Sequence, residues 1–273
     1  QETKFDKVKL KHVRSYLLKL VERFLAIEEW KTKPFEVQLA LTNAYKKRNI
    51  EKTTSSNLQQ IRKKEEQQPF RNAGYFKRQY ELELENYTWK EKQRRRGDMN
   101  LQNLSNALET AFIIEKLKYS ATMLTHQAVY KTEYETGILS LILDYISTSD
   151  LIETPAVAIY YHSYLALKEP TKTLHFYTLK SLIKENSSLF PKDELKNILL
   201  LSINFCIRQI NTGNSVFQKE LLDLYKTGLE SEAFIENGRL SRWTYKNIVE
   251  IGLGLKDFEW IDYFIHYYKD YID

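Results

Sequence analysis

The residues of this chain that can carry chemistry are scattered rather than convergent. Its five histidines, His12, His126, His162, His175 and His266, stand far apart. None has a second His or Cys at the three-to-five-residue spacing that puts two metal ligands on one helix face. Satisfied or exposed imidazoles are therefore the expectation. Glu81, Glu83 and Glu85 alternate with Leu82 and Leu84, and Lys77 and Arg78 lie one helical turn away as partners. A catalytic acid and base need surroundings that push their pKa values apart, and no Asp or Glu here is embedded in a long apolar run. Neither a GxxxxGK[ST] or GxGxxG phosphate loop nor a GxSxG nucleophile turn occurs. The single cysteine, Cys206, lies in Ile203-Asn204-Phe205-Cys206-Ile207, which predicts a buried, inert thiol. The chain reads as a non-enzyme with no catalytic residue, metal or cofactor.

One set of polar and aromatic residues stands out from this background. Tyr160, Tyr161 and Tyr164 precede one predicted turn; Asn204, Arg208 and Asn211 precede the next; Tyr245, Lys246 and Asn247 follow in the last hairpin. Amides donate and accept at once, and a guanidinium suits a carboxylate. On the first helices of stacked hairpins such residues line a concave surface that holds a peptide. Tyr161, Asn204, Arg208, Asn211, Tyr245 and Asn247 are the candidate partner-binding residues. Turned inward, the same side chains would bond across helix pairs instead.

The elements that position them are helices. Of 273 residues, 42% are hydrophobic and 28% charged, the balance of a folded soluble chain. With 8 Gly and 5 Pro there is little turn material for an all-β fold. Pro34, Pro69, Pro155, Pro170 and Pro191 all fall before amphipathic runs, and proline suits a helix's first turn because its missing N–H needs no partner there. The spacing predicts a first helix from Asp6 to Trp30 and a second from Pro34. Thr53 to Asn57 offer caps for a third, and Pro69 opens a fourth. After the polar linker at 94–100, hairpins follow. A helix from Leu101 pairs with one from about Glu133, and 155–167 pairs with 171–184. The last two pairs are 191–210 with 214–229 and 243–255 with 258–271. This predicts at least ten helices and no β-sheet.

The segments Arg14-Ser15-Tyr16-Leu17-Leu18, Ile159-Tyr160-Tyr161-His162-Ser163-Tyr164, Asn204 to Asn211 and Trp243 to Val249 resemble, in order, an uncharacterised family of bacterial helical-repeat proteins. Gly254-Leu255-Lys256-Asp257-Phe258-Glu259-Trp260 is similar to the tight turn of a tetratricopeptide repeat. The resemblance implies an all-α, irregular tetratricopeptide-like α-solenoid of stacked antiparallel hairpins, and no activity. On this reading residues 1–98 form a basic helical segment packed on the stack. Residues 99–273 form the repeats, which are expected to continue past the last residue.

Charge is uneven: residues 1–100 carry 24 Lys and Arg against 14 Asp and Glu, while the rest carry 17 against 22. Lys46-Lys47-Arg48, Arg62-Lys63-Lys64 and Arg94-Arg95-Arg96 supply most of the excess. Such clusters allow nucleic-acid association, yet cations also complement helix C-termini. The leading expectation is a scaffold binding a protein or peptide, identity unspecified. The alternatives are nucleic-acid binding by the basic third and a structural subunit of a larger assembly. One cysteine points to a reducing, cytoplasmic setting, and no apolar run is long enough for a membrane span.

Overall fold

The structure, a computed structural model, describes residues 6–93 and 99–272. The Arg94-Arg95-Arg96 cluster and the Gly97-Asp98 turn lie outside the described residues. Among those described, twelve α-helices dominate an all-α fold that is 81% helix. They are α1 Lys7–Lys31, α2 Pro34–Lys47, α3 Glu51–Gln67, α4 Ala73–Lys92, α5 Leu101–Tyr130, α6 Leu139–Thr148, α7 Pro155–Lys168, α8 Leu174–Asn186, α9 Lys192–Asn211, α10 Phe217–Glu230, α11 Arg242–Gly254 and α12 Phe258–Tyr268. Packing is mostly between sequence neighbours: α7 on α8, α9 on α10, α11 on α12, with α7 also on α9 and α10 on α11.

The chain forms two compact units. One comprises the described residues of Gln1–Gln68 and Glu81–Leu101, the other Pro69–Tyr80 and Gln102–Asp273 up to residue 272. The first has a small core of Phe35, Leu58, Ile61, Leu82 and Trp89. Buried Asn57 donates to Thr42 Oγ1 (2.7 Å) and to the Gln38 carbonyl (3.1 Å), fastening α3 to α2. Asp6 caps α1 by accepting from the Val8 and Lys9 amides. The apolar stripe of α1 is present but uncovered: the helix buries none of its residues, and Tyr16, Leu17, Phe24 and Leu25 are each more than half exposed.

The second unit has one continuous apolar core running from Ile113 and Ile114 in α5 to Ile261 and Phe264 in α12. At its middle Phe176, Phe205 and Phe217, all fully buried, bring α8, α9 and α10 together. Cys206 lies beside them, buried and free. Burial pushes its thiol up from the ordinary range, as its apolar neighbours predict.

Several expectations need correction. A two-stranded hairpin is present, Ile235–Glu236 paired antiparallel with Arg239–Leu240. Its Asn237-Gly238 turn has positive φ at both residues (50° and 77°), the arrangement Asn-Gly favours in two-residue hairpins. Thr53 to Asn57 do not cap a helix: α3 starts earlier, at Glu51, and the Thr54 hydroxyl bonds back to the Ile50 carbonyl. The helix expected from Glu133 starts at Leu139, because α5 runs on to Tyr130 and Gly137 adopts φ +59°. Pro34 and Pro155 do open helices. Pro69 and Pro170 sit in the connections ahead of theirs, and Pro191 is the residue just before α9.

Two helical glycines show how close the packing is. A Cβ on Gly228 would lie 2.0–2.7 Å from the Phe234 ring, whereas one on Gly254 would meet open space. Gly228→Ala is expected to destabilise by about 1–3 kcal/mol through overpacking. Gly254→Ala should be neutral or stabilising by up to about 1 kcal/mol. Urea unfolding midpoints of the two variants check the pair.

Candidate functional site

The six residues singled out by type and spacing all lie in the second unit. Tyr161 is half-buried on α7, its ring edge-on to His162 (5.3 Å) and His175 (6.5 Å). Burial, with Asp144 nearby, pushes its hydroxyl pKa up. Asn204, Arg208 and Asn211 follow one another at helical spacing along α9. Arg208 is half-buried and donates from Nη1 to the Leu167 carbonyl (3.0 Å), and its neighbour Gln209 donates to the Pro170 carbonyl (2.5 Å). These side chains satisfy carbonyls at the C-terminal end of α7 and its turn, which have no partner within the helix. Asn211 is exposed at the end of α9. Asn247 donates to the Tyr225 hydroxyl at a long 3.4 Å, and Tyr245 packs its ring on Phe264 at 5.0 Å.

Asn204 differs from these. It is half-buried, and among the described residues its side chain has no hydrogen-bond partner. No hydrogen bond, ion pair or ring contact joins the six to one another among the described residues. They share a set of helices and do not form one constellation.

The starts of α4 and α9 and the middle of α7 meet at a carboxylate instead. Glu194, in the first turn of α9, accepts from the Tyr160 hydroxyl (2.8 Å) and from Asn72 Nδ2 (2.6 Å). Asn72 Oδ1 in turn accepts from the Tyr75 amide (3.0 Å) and so caps α4. Burial, then the Glu194 charge, raises the Tyr160 pKa far above its ordinary value. With both oxygens accepting hydrogen bonds, Glu194 acts as a structural junction.

On α8 and α10 the surface is charged and self-paired. A cleft of about 590 Å³ is lined by Lys180, Lys184, Asp223, Lys226 and Glu230 among others. Lys180 is held by Glu220 and Asp223; Lys226 pairs with Asp257 (3.1 Å) and stands 4.2 Å over the Trp260 ring. In the first unit Lys46 pairs with Glu85 and Arg62 with Glu83, so two of the basic clusters have members already engaged. Among the described residues no group of three or more His, Cys, Asp or Glu gathers to hold a metal, and no helix is long and apolar enough to cross a membrane.

One pair is invisible to spacing along a single helix. His162 on α7 and His175 on α8, thirteen residues apart, meet with their Nδ1 atoms 3.0 Å from each other. Their distances from the connection at 169–173 are unequal, His162 well inside α7 and His175 in the first turn of α8, so no sequence signal marks the pair. One ring donates its Nδ1–H and the other accepts, which requires the accepting imidazole to be neutral. Burial, helped by His175, lowers the His162 pKa to about 4; burial also lowers that of His175, against an opposing pull from Glu169.

Stability therefore depends on pH through this pair. Above the ordinary value of 6.5 both folded and unfolded chains hold His162 neutral, and its full contribution is present. As pH falls from there toward 4 the unfolded chain binds a proton that the folded one resists, so stability declines. His162→Gln is expected to flatten this part of the decline, read from denaturation midpoints between about pH 7 and about pH 4.5. Parallel declines in the two proteins would contradict it.

No protein-family model, curated protein or solved structure matches the chain. What stands is an all-helical protein whose twelve described helices pack mostly on their neighbours in sequence.

Proposed function

We propose that this chain is a non-enzymatic scaffold of tetratricopeptide-like helical hairpins that holds a protein or peptide segment against α7, α9 and α11. The observation that carries this reading is Asn204. Its amide is partly accessible, midway along a helix packed on α7 and α10, and has no hydrogen-bond partner among the described residues. Polar groups left this way in a packed stack are suited to an external backbone. Tyr161, two helices earlier in sequence, and exposed Trp243 (64% accessible) at the start of α11 supply aromatic surface of the kind that anchors peptides. The pairing of α7 with α8, α9 with α10 and α11 with α12, with α7 also touching α9, agrees with stacked hairpins.

Arg208 has a double part in this scheme. One of its nitrogens caps α7, and the rest of the guanidinium is available to a carboxylate. Its removal therefore costs stability, about 1 kcal/mol for a half-buried bond, and confounds a binding assay. Asn204 and Tyr161 are the cleaner probes.

Peptides selected from a random library on the full chain test the proposal. The double variant Tyr161→Ala, Asn204→Ala is expected to bind them about tenfold more weakly with a melting temperature near that of the parent. Binding should change little between low and physiological salt. Undiminished binding by the double variant would sink the reading. A steep fall with salt would point to phosphate contacts and the basic residues of the first unit.

A further inference from the structure

We propose that His162 and His175 form a two-imidazole chelate for a divalent transition cation of tetragonal preference, with copper(II) as the fitting ion. The proposal does not rest on the partner-binding reading, although Tyr161 borders both sites.

Geometry is the main support. The two Nδ1 atoms are 3.0 Å apart. With metal–imidazole bonds of about 2.0–2.1 Å, that bite subtends an angle of about 95°. Adjacent positions of a square-planar or tetragonal ion call for such an angle, whereas a tetrahedral zinc site would need a separation of about 3.3 Å. The rings need only turn so that both lone pairs point at one place between them. They lie 37° apart in plane with centroids at 5.2 Å.

The positions are held on firm supports. Next to His162 is buried Ser163, whose hydroxyl bonds back to the Ile159 carbonyl (2.7 Å). Next to His175 is Phe176, fully buried in the ring cluster. Tyr161 closes one side, edge-on to both imidazoles. Preorganised ligands of this kind lose little freedom on binding.

The charge and proton balance also fit. In the shared Nδ1–H···Nδ1 hydrogen bond one ring already presents an unprotonated Nδ1. The donating ring moves its proton from Nδ1 to Nε2 through water, with none released overall. Glu169, which pairs with Lys172, lies where its charge acts on His175, and Asp144 acts on Tyr161. One carboxylate, Glu169, thus acts on the pair, against a lysine that it already partners. Water would complete the coordination, since only two protein ligands converge.

Other histidines of the second unit serve as internal controls. His126 stacks on Tyr130 and shares a hydrogen bond with Tyr134, and exposed His266 sits beside its own Asp262. Neither has a second imidazole within reach.

Copper(II) titrated into the full chain at pH 7 in a non-coordinating buffer, followed by electron paramagnetic resonance, tests the proposal. One tight ion per chain is expected, with a spectrum showing two equatorial imidazole nitrogens. His162→Gln and His175→Gln should each weaken the site about a hundredfold, the loss of one arm of a chelate. His126→Gln should leave it unchanged. A wild-type spectrum with a single imidazole, the absence of stoichiometric binding, or a tight site that survives in the His162→Gln, His175→Gln double variant would overturn it. Because the nitrogen count is read on the wild-type protein, the test does not depend on how well the variants fold.

Discussion

The stacking of Phe176 on Phe205, closed at the edge by Phe217, is the contact on which the second unit depends. The first two rings lie 4.8 Å apart and 15° from parallel, and Phe217 meets both at steep angles. Each ring comes from a different helix, α8, α9 and α10, so the cluster joins one hairpin to the next. Three fully buried aromatic side chains bring large apolar area out of water, and the edge-to-face geometry adds to it. Either side of this point the apolar core continues without a break. The polar contacts work at the helix ends. Glu194 ties α9 to Tyr160 of α7 and to the cap of α4, and Arg208 and Gln209 satisfy the end of α7.

This division of labour explains which side chains are free to do something else. Where helices pack, polar groups on α7 and α9 are consumed by carbonyls or by one another. The charged side chains of α8, α10 and the start of α12 pair across neighbours, as Lys180 and Lys226 show. Asn204 escapes both fates, and the proposed partner surface is centred on it. The histidine pair is a different case. Its two rings satisfy each other in the free protein, but through a single shared proton that a metal ion can replace.

Much of the fold is legible in the sequence because helical periodicity is a local property. Periodicity places the first helix from Asp6 to Trp30, and it runs from Lys7 to Lys31; Pro34 and Pro155 open theirs. The departures arise where a local rule has a competitor. Thr53 to Asn57 look like caps, yet Asn57 is drawn into the helix by its bonds to Gln38 and Thr42, fifteen or more residues away. The Asn237-Gly238 turn is itself a clear local signal, masked by the helical pattern on both sides. Site geometry is less legible. That Arg208 caps α7, and that His162 meets His175, depend on how one hairpin closes and how the next packs against it. Spacing along one helix cannot express either. The apolar stripe of α1 is plain in the sequence, but its exposure is a property of the tertiary arrangement.

If the ring cluster is what couples the hairpins of the second unit into one body, weakening it should loosen all of its helices at once. Hydrogen exchange on the parent and on a Phe205→Leu variant measures this directly. Peptides from α8, α9 and α10 should lose protection together and by a similar factor. Loss confined to α9, with α8 and α10 exchanging as in the parent, would show the hairpins to be independent and contradict the coupling.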